Sequence, residues 1–419
     1  MGFGIWNFPL LESYLMKILV ITVRGLHAGY LGCYGNQWIE TGTLDSLASE
    51  GVVFDQHFAE QPEPAAARRS WRSGRYHLPK VGREALADRG DADLLKLLRQ
   101  AGIATHLVVD GSRPAPAEFQ QGWGEVSVVT AKPGEAPLEA TLSTAVHVLD
   151  GLFGKEQWLV WVDLATLVPP WNVPEEYAAP YFETEAEEDS DETDEAAEPL
   201  KPIFDPQPGM IDANDDETLN RLRLSYASAV TFFDAGLEAL IEELGNLGLG
   251  DEIVFVLTSD HGLPLGEHGA VGLHRPWLHD ELIHVPLLLS LPHNNEDVGR
   301  RVGALTQSCD LMPTLLELFG LLIPPEVQGR SLLGLARGQT GAVREQAYCG
   351  LSIGGGIEYA MRTKDWAYLL PLRVPDGETP REPQLYAKPE DRWEVNNLIQ
   401  QHPELAESMD ATLREVAGK

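Results

Sequence analysis

The feature that most constrains this chain is a set of short, continuous apolar runs. They fall at residues 18–23 (ILVITV), 105–110 (THLVVD), 158–163 (WLVWVD), 253–257 (IVFVL) and 285–290 (VPLLLS). A strand that is apolar at successive positions, rather than at alternate ones, is buried on both faces. That is the situation in a parallel sheet covered by helices. Helical patterns separate the runs. Residues 91–101 (DADLLKLLRQA) are followed by Gly102. From 219 to 244, apolar residues recur in steps of three and four, begun by residues 214–216 and stopped by Gly245. The alternation predicts an α/β protein with a doubly wound, mostly parallel central sheet and helices on both faces. After about residue 335 the pattern changes to strand-like runs at 358–362 and 366–370 and a terminal helix near 403–416. We therefore expect an extension at 1–15, a main domain at 16–335 and a small C-terminal α+β subdomain at 336–419.

The run at 253–257 leads into Thr258-Ser259-Asp260-His261-Gly262. This puts a carboxylate and an imidazole where open α/β sheets bind ligands. Both groups suit a divalent metal. They equally suit a turn cap, with His261 bonded to backbone. Composition narrows the partners. A net charge of −33 argues against nucleic acid, and no uninterrupted apolar run is long enough to cross a bilayer. Cys33, Cys309 and Cys349 are too few and too scattered for a disulfide framework, which fits a reducing, cytoplasmic setting. Residues 1–15 are apolar but carry Glu12, with neither a basic start nor a cleavage site, so no signal peptide is expected. Met16-Lys17, directly before the first run, reads as a natural start. Residues 182–199 are acidic and aperiodic, and predict a solvated loop.

Several motifs share one order. They are ITV-x2-L-x-A-x2-LGCYGN at 21–36, TLDSLASEGVVFD at 43–55, SGRY at 73–76, and Ser259-Asp260-His261-Gly262 followed by Gly266-Glu267-His268-Gly269. Tyr226 and Phe233 on the periodic helix, and segments 310–314, 328–332, 359–363 and 385–386, continue the series. Together they closely resemble the sulfatases, within the alkaline-phosphatase-like superfamily. The resemblance implies the fold already expected, and sulfate ester hydrolysis by a formylglycine made from Cys or Ser in Cys-x-Pro-Ser-Arg. It also implies a divalent metal, usually calcium, held by two adjacent acids after the first strand and by the Asp260-His261 segment.

This chain departs from that pattern. The two acids align with Arg24 and Gly25, and a guanidinium there puts positive charge where a cation would sit. Counting back from Gly74-Arg75-Tyr76, the nucleophile segment reads Pro64-Ala65-Ala66-Ala67-Arg68. Proline has no group that can attack a sulfur or phosphorus centre. The family's lysine aligns with Leu273 or His274, and its Pro-His-x-Pro-like segment with 167–171 (LVPPW), where no histidine remains.

The expectation is a degenerate, catalytically inactive sulfatase-like protein with a remnant anion pocket at Arg68, His268 and His274, and a remnant metal pair at Asp260 and His261. No cofactor is expected. One rival is an active sulfuric or phosphoric ester hydrolase that recruits Ser70 or Ser73 as nucleophile and Asp110 or Asp163 as ligand for calcium or magnesium. Another is a non-catalytic scaffold that holds a protein partner. The surviving groups also have plainer readings: His268 as a packed turn residue, and Arg68, Arg69, Arg72 and Arg75 as salt-bridging charges. Arg24 and Arg68 should be neighbours and need a negative counterpart. Asp260 paired with Arg24 would supply it. So would a sulfate, phosphate or carboxylate at the N-terminus of a helix starting near Pro64.

Overall fold

The protein's structure, a computed structural model, describes residues 16–80, 92–183, 200–292, 299–375, 377 and 379–418. In chain order the strands are β1 (Lys17–Val23), β2 (Val52–Phe58), β3 (Ala104–Asp110), β4 (Glu125–Val129), β5 (Trp158–Leu164), β6 (Gly209–Met210), β7 (Ile253–Thr258), β8 (Ala270–Val271), β9 (Leu287–Ser290) and β10 (Arg300–Gln307). Eight of them form one sheet in the order β10-β2-β9-β7-β1-β5-β3-β4, while β6 and β8 make a separate short pair. β1 runs parallel to both β5 and β7, and β3 parallel to β5 and β4. β9 is the exception, antiparallel to both β2 and β7. The expected doubly wound, mostly parallel sheet is present.

Strand periodicity sorts side chains between two cores. Leu19, Ile21 and Val23 of β1 join the core built on the long helix Asp216–Asn246, with Tyr226, Val230, Phe233 and Leu237. Ile18 and Val20 face the other core, with Trp71, Leu95, Trp161 and Met312. Among the described residues, Asp216–Asn246 is the one helix with the length and apolarity to cross a membrane, and its apolar stripe is spent on this core.

Several boundaries differ from those predicted. The helix expected at 91–101 is Leu94–Gln100, because the Asp93 carboxylate caps the Lys96 amide at 3.0 Å. The run at 285–290 pairs only from Leu287, after Pro286, which has no N–H to give a ladder. β4 and β10 were not foreseen. Phe182 closes the helix Glu175–Phe182 instead of opening the acidic insert. The rest of that insert beyond Glu183, and the extension 1–15, lie outside the described residues.

The C-terminal part is an antiparallel meander, β11 (Ala347–Ile353), β12 (Gly356–Arg362), β13 (Trp366–Arg373) and β14 (Gln384–Ala387), followed by the helix Pro403–Gly418. Met409 and Leu413 of that helix pack on Tyr359 and Leu370. The opposite side of the meander meets the main domain, where Ala360 and Leu369 pack with Leu278, Leu282 and Leu305. The three central strands β7, β1 and β5 end side by side, so the residues just past their carboxyl ends converge.

Candidate functional site

The helix α2 (Pro64–Ser73) brings the decisive side chain to this point; α1 (Gly42–Glu50) precedes it in the chain. Pro64 is the first helical residue, where a missing N–H costs nothing. The Glu63 carboxylate caps the helix, accepting from the amides of Ala65 at 3.1 Å and Ala66 at 2.9 Å. Gly74, at φ 63°, ends it in the left-handed conformation. One turn in, Arg68 points at the strand ends and is 1% exposed.

Arg68 joins two strands. Its Nη2 donates to Asp163 Oδ1 at 2.5 Å, and its Nε to Asp163 Oδ2 at 3.3 Å. Its Nη1 donates to Asp260 Oδ2 at 2.7 Å and to the Pro64 carbonyl at 2.9 Å. Asp163, on β5, also accepts from Thr22 Oγ1 at 2.9 Å and lies 3.4 Å from Arg24 Nη2. Two guanidiniums therefore meet two carboxylates, and the formal charges cancel. Burial pushes the Asp260 carboxyl up, but His261, Arg68 and Arg24 outweigh it and hold the group below the ordinary carboxylate range. Burial alone would lower Arg68; Asp163 and Asp260 reverse that and raise it.

This arrangement corrects the expected pairing. The two arginines do converge, but Arg24 reaches Asp163, and the direct partner of Asp260 is Arg68. His261 follows its plainer reading, with Nδ1 2.6 Å from the Gly262 carbonyl and Nε2 3.6 Å from Asp260 Oδ1. The helix N-terminus, the alternative place for an external anion, is occupied by Glu63. A calcium or magnesium ion does not fit these residues. Such ions need about six or more oxygen ligands; both carboxylates here are paired with arginines, and of their four oxygens Asp260 Oδ1 alone lacks a hydrogen-bond partner among the described residues. Gly25 adds a steric bar. At φ 77°, a Cβ there would lie 2.8 Å from the Leu167 carbonyl oxygen.

The other predicted residues scatter. Asp110 is bound in its own turn, accepting from Ser112 N at 2.8 Å and Ser112 Oγ at 2.6 Å. Ser70 is fully buried, and its hydroxyl has no hydrogen-bond partner among the described residues. His274 stands apart from the arginine network; neither ring nitrogen has a partner among the described residues. His268 belongs to a different cluster, with Nδ1 2.8 Å from Glu281 Oε1 and its ring stacked on His279 at 3.8 Å.

Ser73 lies on a groove of about 290 Å³ along α2, shared with Ala65, Arg69, Arg72, His77 and Phe119. There Ser73 Oγ is 2.8 Å from His77 Nε2 and donates to the Arg69 carbonyl at 2.8 Å. Arg72 is tied to Asp93 at 2.5 Å, whereas Arg69 is exposed and has no ion pair among the described residues.

Sequence reasoning named Asp163 only as a recruitable ligand and missed Glu63, His279, Glu281 and Glu394. A signal existed for Glu63, an acid directly before a proline that can open a helix. The strand-end position of Asp163 was equally visible, but its pairing with a residue 95 positions away was not.

Comparison with known proteins agrees with the fold. The family model described as sulfatase matches residues 17–321, and one described as N-sulphoglucosamine sulphohydrolase, C-terminal, matches 266–418. Iduronate 2-sulfatase of Homo sapiens is 23% identical over 387 residues, covering 74% of this chain and 70% of its own length. Arylsulfatase K of Mus musculus is 27% identical over 217 residues, 48% of this chain and 37% of that protein. Among solved structures, the phosphonate monoester hydrolase of Agrobacterium radiobacter superposes with a TM-score of 0.75 at 19% identity, covering 96% of this chain and 95% of the other. At that identity the likeness speaks for the fold.

Proposed function

The chain belongs to the sulfatase family, and from that premise we propose that it is a non-hydrolytic member that holds an anionic ligand without turning it over. One observation carries the proposal. Arg68 spans Asp163 and Asp260 at 2.5 and 2.7 Å beside Pro64, the residue that the resemblance aligns with the nucleophile. The carboxylates that could hold an ion are neutralised by arginines, and nothing at position 64 can attack an ester. The anion then binds beside the old centre and not within it. Arg69 in the α2 groove offers an exposed guanidinium with a planar fork of donors suited to sulfate, phosphate or carboxylate. Aryl sulfate and phosphate ester turnover should stay at background with or without added calcium; metal-activated turnover would refute the proposal. In a thermal shift assay, sulfate should raise the melting temperature beyond chloride of equal ionic strength, and Arg69→Ala should remove the difference.

A second reading rests on the Ser73–His77 contact in the same groove. A serine hydroxyl beside an imidazole becomes a nucleophile–base pair once its proton turns from the Arg69 carbonyl to His77 Nε2, and the arginines could stabilise an anionic ester. Metal-independent turnover abolished by Ser73→Ala would favour this reading.

A further inference from the structure

A second polar cluster lies away from the arginine network, where the main domain meets the C-terminal meander. His268, His279 and Glu281 each present a ligand atom within 4.8 Å of the other two. His279 and Glu281 are 1% and 5% exposed. The His279 ring is held by a buried carboxylate, with Nδ1 2.7 Å from Glu394 Oε2. A carboxylate on one imidazole nitrogen fixes the tautomer and leaves the other nitrogen's lone pair available, as the outer shell of a metal-bound histidine does.

Glu394 is itself an unusual residue. It is 1% exposed and sits at φ 53°, the one non-glycine residue at positive φ among those described. A non-glycine residue held there costs free energy and tends to mark a functional constraint.

Asp280 and Glu394 are matched by Arg362, at 3.0 and 2.9 Å, and by Lys388, at 2.7 and 3.1 Å. Glu281 and Glu267 remain. Within 4 Å their side-chain partners are imidazoles, His268 for Glu281 and His27 for Glu267. Both carboxylates line a cavity of about 40 Å³ that also takes in His27 and Trp393. His27 is buried, and its Nε2 has no hydrogen-bond partner among the described residues; it stands 3.8 Å from Glu267 Oε1. Arg392, the one lysine or arginine lining the cavity, donates instead to the Tyr34 carbonyl at 3.0 Å. Trp393 is 58% exposed, so the cavity has a way in from solvent.

We propose that His268, His279 and Glu281 bind a zinc-class divalent cation whose fourth position opens into the cavity walled by His27 and Glu267. Two imidazoles and one carboxylate suit such an ion. In a tetrahedral site with bonds of about 2.1 Å, ligand atoms lie about 3.4 Å apart, so the group has to close by up to about 1.4 Å, and the stacked His268 and His279 rings have to turn out of parallel for both lone pairs to meet the ion. The dication displaces the proton shared by His268 and Glu281, which leaves to solvent, and balances the buried Glu281 together with the partly buried Glu267.

The experiment uses the full chain, stripped with a chelator and titrated with Zn²⁺ by calorimetry and with Co²⁺ by visible absorption. The expected result is one ion per chain and the intense bands of tetrahedral Co²⁺. His279→Ala and Glu281→Gln should each weaken binding by about 100-fold or more, and Arg69→Ala should leave it unchanged. Glu394→Gln, acting through His279, should cost about 10- to 100-fold. Lack of Zn²⁺ binding by the wild-type protein, or a Co²⁺ spectrum without tetrahedral bands, overturns the proposal. Either would leave the cluster as a His268–Glu281 ion pair, and the wild-type readout stands even if a variant fails to fold.

Discussion

At the scale of single residues, Arg68 has two roles that a sequence separates poorly: a charge and a cross-link. Removing it leaves Asp163 and Asp260 buried, with Arg24 at 3.4 Å as the nearer remaining cation. Breaking a buried pair by deleting one partner costs about 3–5 kcal/mol, so Arg68→Ala should lower unfolding free energy by about that amount in chemical denaturation. Arg24→Ala removes one longer contact at the rim and should cost about 1 kcal/mol. Equal losses would mean that the two arginines share the load. Glu60 makes a separate prediction. It is fully buried, and burial pushes its pKa up to about 7, outweighing the lowering effect of the neighbouring Ser70 hydroxyl. Ser70, Tyr76, Cys309, Asp310, Arg344 and Cys349 surround it. A carboxyl raised on folding makes the folded state bind more protons than the unfolded one between pH 4.5 and 7. Its contribution therefore declines as pH rises through that window and levels off above it, by on the order of 3 kcal/mol. Glu60→Gln should be more stable than wild type at pH 8, with the gap closing by pH 5.

At the scale of elements, α2 is a helix that carries its own anion. The Glu63 carboxylate occupies the amides of Ala65 and Ala66, so sulfate in solution competes with a tethered group. Glu63→Ala should cost about 1 kcal/mol and make the melting temperature more responsive to sulfate than in wild type. An unchanged response would show that the helix end is closed by something besides Glu63. The elements also show how far the sequence could be read. β1, β5 and β7 are buried at nearly every position, and their continuous apolar runs announce it. β4 and β10 lie at the two edges of the sheet, with mixed polar and apolar residues (EVSVV and RRVGALTQ) that carry no such run. The site was legible in the same uneven way. Motif spacing located Arg24, Arg68 and Asp260, because each lies a fixed distance from a recognisable local segment. Which carboxylate each arginine would choose depends on strand order, since β1 lies between β5 and β7 and no local pattern encodes that. His268 was named, but its partners Glu281 and His279 were not, because the stacking of two rings eleven positions apart depends on how the chain folds back between them.

At the scale of the molecule, two kinds of electrostatics coexist. The chain carries a net charge of −33, which repels itself and is screened within about 10 Å at 0.1 M salt. The buried networks, at Arg68 and at Arg362, are shielded from ions. Raising sodium chloride from about 0.05 to 0.5 M should therefore raise the melting temperature of the wild type. It should leave the stability gap between wild type and Arg68→Ala unchanged. The second network also joins the two parts of the chain. Arg362 on β12 holds Asp280 of the main domain and Glu394 of the C-terminal part, so Arg362→Ala should destabilise the whole chain in a single transition. Two separate transitions in calorimetry would show that the meander folds independently.

Gly25 bears on the ancestry of this protein. Under the proposed reading, a lineage seeking to regain the metal would need an acid at that position. The left-handed backbone and the nearby Leu167 carbonyl leave no room for its first carbon. An acid at position 24 alone would turn a balanced quartet into three negative groups around one arginine. Each single step back thus passes through a less stable protein, and the changes that ended metal binding now protect one another from reversal. Descent from this chain is then free to remodel the groove and the surface, while the old centre persists as a fixed part of the fold.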